Sequence, residues 1–322
     1  MHDAGFPPGV FQLVNGHGPN DVGEWLASHP NIDMVSFTGS TTAGREISLA
    51  AAATVKRVSL EMGGKGANII FGDIISDDNM DDFEAAIDNG VWDVMSNSGQ
   101  TCNAPTRMLI PKEHWDFALV VATNTAMQIQ VGSAKEEGEH IGPVVNKAQY
   151  ERIQAYIQSG IDQGATLLVG GLGKPIKNDS DDIVQQQLQQ HYQGGYYVKP
   201  TIFANCTPEM TIWTEEIFGP VLCMTSFETE EGAIKLANDS PYGLMHYAHT
   251  YDTQRRLRLA KKLQSGMIVF NQVWLASSAP FGGMKQSGNS REGGEWGLLD
   301  FCVVKAISGI LGDEYYQDSD DA

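Results

Sequence analysis

The sequence predicts an α/β fold, and three observations support this. Short apolar runs, such as residues 34–38, alternate with stretches rich in strong helix formers, such as residues 43–52. Turns rich in glycine and serine separate the two kinds of segment. The chain has 322 residues, 42% of them hydrophobic, which is enough to bury a large core. This alternation is typical of βαβ units, in which helices cover a parallel sheet.

Local patterns predict the individual elements in chain order. The predicted strands are 10–14, 34–38, 55–60, 166–169 and 267–270. The predicted helices are 21–28, 43–52, 77–95, 117–130, 149–163, 233–238 and 253–263. The polar stretch 170–195 has no apolar face to bury and is interpreted as a surface insertion. The acidic tail from Gly312 is expected to be frayed.

Composition and charge argue against several classes of function. A formal net charge of −19 predicts that the chain does not bind nucleic acid. The absence of an apolar run of about 18 residues predicts no membrane span. Four scattered cysteines indicate a reducing compartment, and we expect a cytoplasmic location. We expect no metal site, because His246 and His249, three apart in a strand, would point to opposite faces.

Cys102 is the first candidate for chemistry. It lies in the small, polar, glycine-containing segment NSGQTCNAPTR, residues 97–107. A sulfur in such a turn is exposed and has backbone N–H groups nearby, which stabilise a thiolate and later an oxyanion. A lone cysteine is more often a core residue, so the turn by itself leaves both interpretations open. We expect Cys102 to be reactive and the thiols of Cys206, Cys223 and Cys302 to be inert.

Two further segments carry possible chemistry. In SLEMGGK, residues 59–65, a predicted strand runs into Glu61, a position suited to a general base with a raised pKa. An ordinary charged loop residue is the alternative. In FTGSTTAG, residues 37–44, a strand, a turn at Gly39 and Ser40 and a helix start leave free N–H groups that suit a phosphate. This segment matches neither G-x-G-x-x-G nor a P-loop, so it is a weak signal alone.

Together the three segments resemble the aldehyde dehydrogenase superfamily, and they occur in that family's order. Further matches are GFPPG at 5–9, EEIFGPV at 215–221, PFGG at 280–283, KQSG at 285–288 and the pair Arg291-Glu292. The resemblance covers nearly all of residues 4–310. It implies an aldehyde-dehydrogenase-like fold with a partial Rossmann-like cofactor domain at 1–60 and an α/β catalytic domain at 61–287. Residues 288–322 would form a return segment, an oligomerisation strand at Phe301–Ile307 and the acidic tail.

The resemblance also implies a role for each matched residue. Cys102 would attack an aldehyde carbon to form a thiohemiacetal, and hydride would then leave to NAD, with NADP not excluded. Glu61 would activate the water that hydrolyses the resulting thioester. Glu292 would relay protons from Glu61. The cofactor would be held by Gly39, Ser40, Met62, Glu216 and Phe218.

The resemblance implies partners as well. We expect a small-molecule aldehyde as substrate and a homo-oligomer, either a dimer or a tetramer. Family members carry a long segment before the one that here begins at Gly5, so a complementing N-terminal segment is a further expected partner. The alternative is a catalytically impaired fragment or pseudo-enzyme that acts by binding a partner. Met284, Ser290 and Gly293 depart from the residues usual in the C-terminal motifs.

Overall fold

A parallel sheet of two strands and a mostly parallel sheet of seven strands organise the chain. The computed structural model describes residues 2–17, 20–76, 79–135, 137–175, 192 and 194–308. The smaller sheet pairs β1 (Met34–Gly39) with β2 (Arg57–Met62). Helix α2 (Thr41–Ala52) connects these strands, and α1 (Val22–Ser28) packs against α2. Among the described residues, no helix is both long and apolar enough to cross a membrane.

The larger sheet has seven strands. In chain order they are β3 (Ala67–Ile70), β4 (Arg107–Pro111), β7 (Thr166–Val169), β8 (Thr201–Ala204), β9 (Val221–Phe227), β10 (Met245–His249) and β11 (Met267–Phe270). Two short strands, β5 (Gln130–Val131) and β6 (His140–Ile141), form a separate parallel pair. The spatial order of the large sheet is β11-β10-β3-β4-β9-β8-β7. Adjacent strands in this sheet are parallel, except for β7 and β8, which form an antiparallel pair at one edge.

Helices cover both faces of the large sheet. They are α3 (Asp81–Met95), α4 (Trp115–Gln128), α5 (Lys147–Asp162), α6 (Thr211–Thr214), α7 (Glu230–Asn238) and α8 (Thr253–Lys262), and α9 (Gly294–Asp300) lies in the returning segment. Consecutive strand residues enter opposite cores. Ile69 packs in the core with α5 and α7, whereas Ile70 packs in the core with α3 and α4. Strands buried on both faces are continuous apolar runs without alternation.

Most of the predicted elements are confirmed, and so is the α/β class. The strands at 166–169 and 267–270 agree with the prediction to the residue. The strand predicted at 10–14 is wrong, because those residues are exposed and pair with no other strand in the described part of the chain. Residues 301–308 form no strand and are exposed, so a strand that pairs across a subunit interface stays a prediction. The predicted surface insertion and the acidic tail lie largely outside the described residues.

A buried arginine joins the large sheet to the end of helix α7. The Arg107 guanidinium, which is fully buried, donates to the carbonyl oxygens of Lys65 (2.9 Å), Leu236 (2.9 Å) and Ala237 (2.7 Å). The last carbonyls of a helix have no partner within it, and a positive charge is favourable there. The Arg107 guanidinium carbon also lies 5.1 Å from the centroid of the Trp213 ring. Arg107 therefore fixes the loop before β3 relative to α7.

Replacing Arg107 tests how much it contributes to the stability of the fold. Arg107→Met is expected to lower the free energy of unfolding by about 3 kcal/mol or more, because several buried carbonyls lose a donor. Arg258→Met is the matched control, since Arg258 pairs with Glu230 near the surface and its replacement should cost much less stability. Urea unfolding followed by circular dichroism measures both. Equal losses in the two variants would contradict the assignment.

Candidate active site

The residues predicted to act in chemistry meet where the two sheets adjoin. Glu61 lies near the carboxyl end of β2, whereas Cys102 and Glu216 precede β4 and β9. The connection from β2 to β3, residues 63–66, runs between them. The site thus lies between the carboxyl end of the small sheet and the amino ends of central strands of the large sheet.

A strained turn presents Cys102. Three residues before it have positive φ: Asn97 (50°), Ser98 (56°) and Gly99 (71°). A Cβ atom on Gly99 would lie 2.0 Å from the carbonyl oxygen of Gly219, so only glycine fits there. Strain of this kind persists where the surrounding structure fixes it, and it is common at functional sites.

Opposing effects set the acidity of the Cys102 thiol, which is half-buried. Burial raises the pKa of Cys102, and the carboxylates of Glu216 and Glu61 raise it further. The backbone N–H groups of Cys102 and Asn103 donate to the sulfur and lower the pKa. The expected arrangement of N–H groups around the sulfur is therefore present.

The other three thiols differ in their exposure. Cys206 and Cys223 are buried, in keeping with the expectation that they are inert. Cys302 is exposed, so burial does not support the expectation that its thiol is inert. It belongs to residues 301–308, whose side chains are exposed in the single chain.

Glu61 is a buried carboxyl beside this thiol. Its side chain is 4% exposed, and the Ser290 hydroxyl lies 2.7 Å from its Oε1. Its Oε2 has no hydrogen-bond partner among the described residues. The pKa of Glu61 is raised to about 7, and burial is the largest cause. The hydrogen bond from Ser290 lowers this pKa, and the charge of Glu292 raises it by a smaller amount. A carboxyl with such a pKa suits a general base near neutral pH.

Glu216 lies on a glycine turn opposite Glu61. The Gly64 N–H donates to Glu216 Oε1 at 3.0 Å. A Cβ on Gly63 would lie 2.1 Å from Oε2, so this contact requires glycine. Phe218 has a φ of 55°, which is unusual for a bulky residue. The Gln149 side-chain amide holds this turn by donating to the Phe218 carbonyl at 2.9 Å.

Gly39, Ser40 and Met62 lie together at the start of helix α2. Ser40 is its N-cap and accepts from the Ala43 N–H at 3.2 Å. The other N–H groups of a first helical turn are available to an anion. Met62 packs under this turn so closely that a Cβ on Gly44 would lie 2.3 Å from its sulfur. A cleft of about 860 Å³ extends from Ser40 between α1 and α2, and this arrangement fits a dinucleotide pyrophosphate.

Two residues occupy places that the sequence did not indicate. Glu292 is exposed, and its backbone pairs with Phe281 in both directions at 2.7 Å. No hydrogen bond joins its side chain to Glu61 in the described structure. Ser290 makes that contact instead. The sequence marked Ser290 only as a departure from the residues usual in the C-terminal motifs, and that departure was the one available signal.

Comparisons with known proteins agree with this geometry. The aldehyde dehydrogenase family model matches residues 1–307. A 3-succinoylsemialdehyde-pyridine dehydrogenase from Pseudomonas sp is 46% identical over 96% of this chain and 60% of its own length. A putative aldehyde dehydrogenase from Staphylococcus saprophyticus is 40% identical over 95% of this chain and 60% of its own length. The chain belongs to the aldehyde dehydrogenase family.

Solved structures give the same result. An aldehyde dehydrogenase from Bartonella henselae is similar with a TM-score of 0.84 and 48% identity, covering 95% of this chain and 60% of that one. A mutant aldehyde dehydrogenase C from Pseudomonas syringae, in complex with NAD+ and octanal, is similar with a TM-score of 0.87 and 41% sequence identity. The match covers 97% of this chain and 60% of that one. The chain spans about 60% of the length of these relatives.

Thiol alkylation tests the setting of Cys102. In a Cys302→Ser background, iodoacetamide should label Cys102 and leave Cys206 and Cys223 unlabelled in folded protein. Adding Glu216→Gln should speed labelling at a fixed pH below the thiol pKa, because removing the carboxylate lowers the pKa and increases the thiolate fraction. Peptide mapping by mass spectrometry measures both effects. Labelling of a buried cysteine before Cys102 would refute the prediction.

The raised pKa of Glu61 predicts a specific dependence of stability on pH. The unfolded carboxyl ionises near its ordinary pKa of 4.5, whereas the folded one ionises at about 7. Between these values the unfolded chain loses its proton first, so the folded state is progressively destabilised as the pH rises. Glu61→Gln should therefore gain stability relative to the wild type across this window and gain no more above it. Urea midpoints measured at successive pH values test this, and parallel curves would show that Glu61 titrates normally.

Proposed function

We propose that this chain supplies the catalytic and cofactor-binding core of an NAD-dependent aldehyde dehydrogenase that converts an aldehyde to a carboxylic acid. The observation that carries the proposal is the proximity of the Cys102 thiol to Glu61, a buried carboxyl with a pKa of about 7 whose charge acts on the thiol. A thiol forms a thioester and a carboxylate activates the water that cleaves it. Membership of the aldehyde dehydrogenase family supports the same reaction.

Cys102 has the role of nucleophile. As a thiolate it adds to the aldehyde carbon, and the new oxyanion needs donors nearby. The Cys102 N–H, which already points at the sulfur, supplies one of them. Glu61 acts after the oxidation. It takes a proton from water, which attacks the thioester and releases the acid from Cys102.

Five residues would hold the dinucleotide. Ser40 at the start of α2 and Gly39 before it would hold the pyrophosphate, supported by the N–H groups of the first helical turn. Glu216 would bind a ribose, and Phe218 and Met62 would contact the rest of the dinucleotide. When bound, NAD supplies the hydride acceptor, and NADP remains an alternative because no contact to the adenosine ribose is assigned. The charge of Glu292 raises the pKa of Glu61, so the two carboxyls are near each other. We assign Glu292 the role of carrying protons from Glu61 to water.

The proposal extends to partners and location. Exposed apolar side chains at Phe301, Val303 and Val304 suit a strand that pairs with another subunit, so we propose a homo-oligomer. A complementing N-terminal segment is proposed as well, because the chain spans about 60% of the length of its relatives. We also propose a cytoplasmic location, and free thiols at all four cysteines are in keeping with a reducing compartment.

Ester hydrolysis tests the division of labour between Cys102 and Glu61 without a cofactor. p-Nitrophenyl acetate should acetylate Cys102, and the wild type should turn over continuously. Glu61→Gln should release a burst of about one equivalent of nitrophenol and then slow at least about tenfold, because acid–base catalysis commonly contributes 10²–10⁴-fold. Intact-mass analysis should find the acetyl group on Cys102, and Cys102→Ala should give no burst.

A parallel assay tests oxidation itself. Aldehyde and NAD should give NADH with the wild type assembled with its N-terminal segment, and only a burst with Glu61→Gln. Steady turnover by Cys102→Ala, or an unchanged steady rate in Glu61→Gln, would overturn the proposed function.

A further inference from the structure

The hydroxyl of Ser290 lies between two buried acceptors. Its Oγ is 2.7 Å from Glu61 Oε1 and 2.9 Å from the Leu60 carbonyl oxygen. Ser290 is 2% exposed and Glu61 is 4% exposed, so bulk water does not replace these contacts. A serine hydroxyl has one proton, and it donates one full hydrogen bond at a time.

The protonation state of Glu61 decides where that proton points. When Glu61 is ionised, the strongest acceptor is the carboxylate, because charge-assisted hydrogen bonds are about twice as strong as neutral ones. The Leu60 carbonyl then keeps another donor, the Asn289 N–H at 3.1 Å. When Glu61 is protonated, its own O–H donates to Ser290 Oγ, and the serine proton turns to Leu60. In both states Glu61 Oε1, Ser290 Oγ and the Leu60 carbonyl oxygen each keep a hydrogen-bond partner.

We propose that Ser290 is a positioning residue that holds the Glu61 carboxyl in one place in both of its protonation states by turning a single hydroxyl proton. The role in catalysis rests on the proposed function of Glu61 as the base. A base that accepts a proton from water and then returns it must keep its geometry through both states. Ser290 stabilises the charged form more strongly, so it also keeps Glu61 ionised to lower pH than burial alone would allow.

The segment that carries Ser290 is fixed independently of Glu61. The Asn289 side chain accepts from the Leu60 N–H at 2.9 Å and donates to the Val58 carbonyl at 3.2 Å. Gly288 pairs with Glu61 through the backbone, and a Cβ on Gly288 would lie 2.0 Å from the Leu60 oxygen. The segment therefore provides a control variant that loosens the backbone and leaves the hydroxyl in place.

Other charged groups also act on Glu61, and they do not change in the test. Glu292 and Asp300 raise its pKa, and Arg291 lowers it. The Cys102 thiol lies within reach of the Glu61 charge and is neutral below its raised pKa. The hydroxyl of Ser290 contributes a larger effect than any of these charges.

The experiment titrates Glu61 directly by infrared spectroscopy. The protonated-carboxyl band that is absent in Glu61→Gln is followed against pH in the wild type and in Ser290→Ala, Ser290→Gly, Ser290→Thr and Asn289→Ala. Removing the hydroxyl should raise the midpoint by about one pH unit, from the loss of one charge-assisted bond. Ser290→Thr should restore the wild-type midpoint, and Asn289→Ala should keep it even if it lowers stability. Ser290→Gly replaces Ser290→Ala if the alanine variant does not fold.

The pH profile of deacylation from p-nitrophenyl acetate gives a second readout. Its acidic limb should move with the infrared midpoint, so a midpoint that is higher by one pH unit should lower the rate on that limb about tenfold. An unmoved midpoint in Ser290→Ala, or in Ser290→Gly where that variant replaces it, overturns the proposal, and so does an equal change in Asn289→Ala. If the midpoint moves but Cys102 is never acylated, the proposed function fails while the contact between Ser290 and Glu61 stands. If acylation occurs but the limb does not follow the midpoint, the catalytic role of Ser290 fails and the proposed function stands.

Discussion

Burial of the Glu61 carboxyl at the junction of the two sheets is the constraint on which the site depends. A buried carboxylate is costly unless hydrogen bonds compensate for lost water, and its pKa rises when they do so only in part. The chain supplies this compensation from far along the sequence. Residues 288–290 return to strand β2 and bring Asn289 and Ser290 against it. The C-terminal segment is thereby tied to the strand that carries the base.

Close backbone approach is the second requirement, and it explains the glycines in the site. Glu216 lies against Gly63 and Gly64, and the turn before Cys102 passes the Gly219 carbonyl at Gly99. Side chains at these positions would push the carboxylate or the turn away from the cleft. Phe218 adds a strained conformation at the same place. Such strain needs a rigid surrounding, and the sheet strands on either side provide it.

Opposing electrostatic effects act on both reactive groups of the cleft. Burial and two carboxylates disfavour a thiolate at Cys102, whereas two backbone N–H groups favour it. At Glu61 a hydroxyl favours the charged form and burial disfavours it. The outcome differs between the two groups: the pKa of Cys102 is raised, whereas the pKa of Glu61 is about 7. A neighbouring charge or hydrogen bond therefore changes the protonation state of Glu61 near neutral pH, as a base that gains and loses a proton requires.

The sequence by itself determined the α/β class and the family, and it marked Cys102, Glu61, Gly39 and Ser40 as candidate site residues, because these depend on local patterns and ordered motifs. It did not determine the central strands β3, β4 and β9, since strands buried on both faces lack the alternation that marks half-buried ones. It also predicted a strand at residues 10–14 that pairs with no strand in the described part of the chain, because pairing is decided by distant residues. The contact of Ser290 with Glu61 spans 229 positions. Only the tertiary structure could decide it, because the direction of a side chain across such a separation depends on how the returning segment pairs with β2.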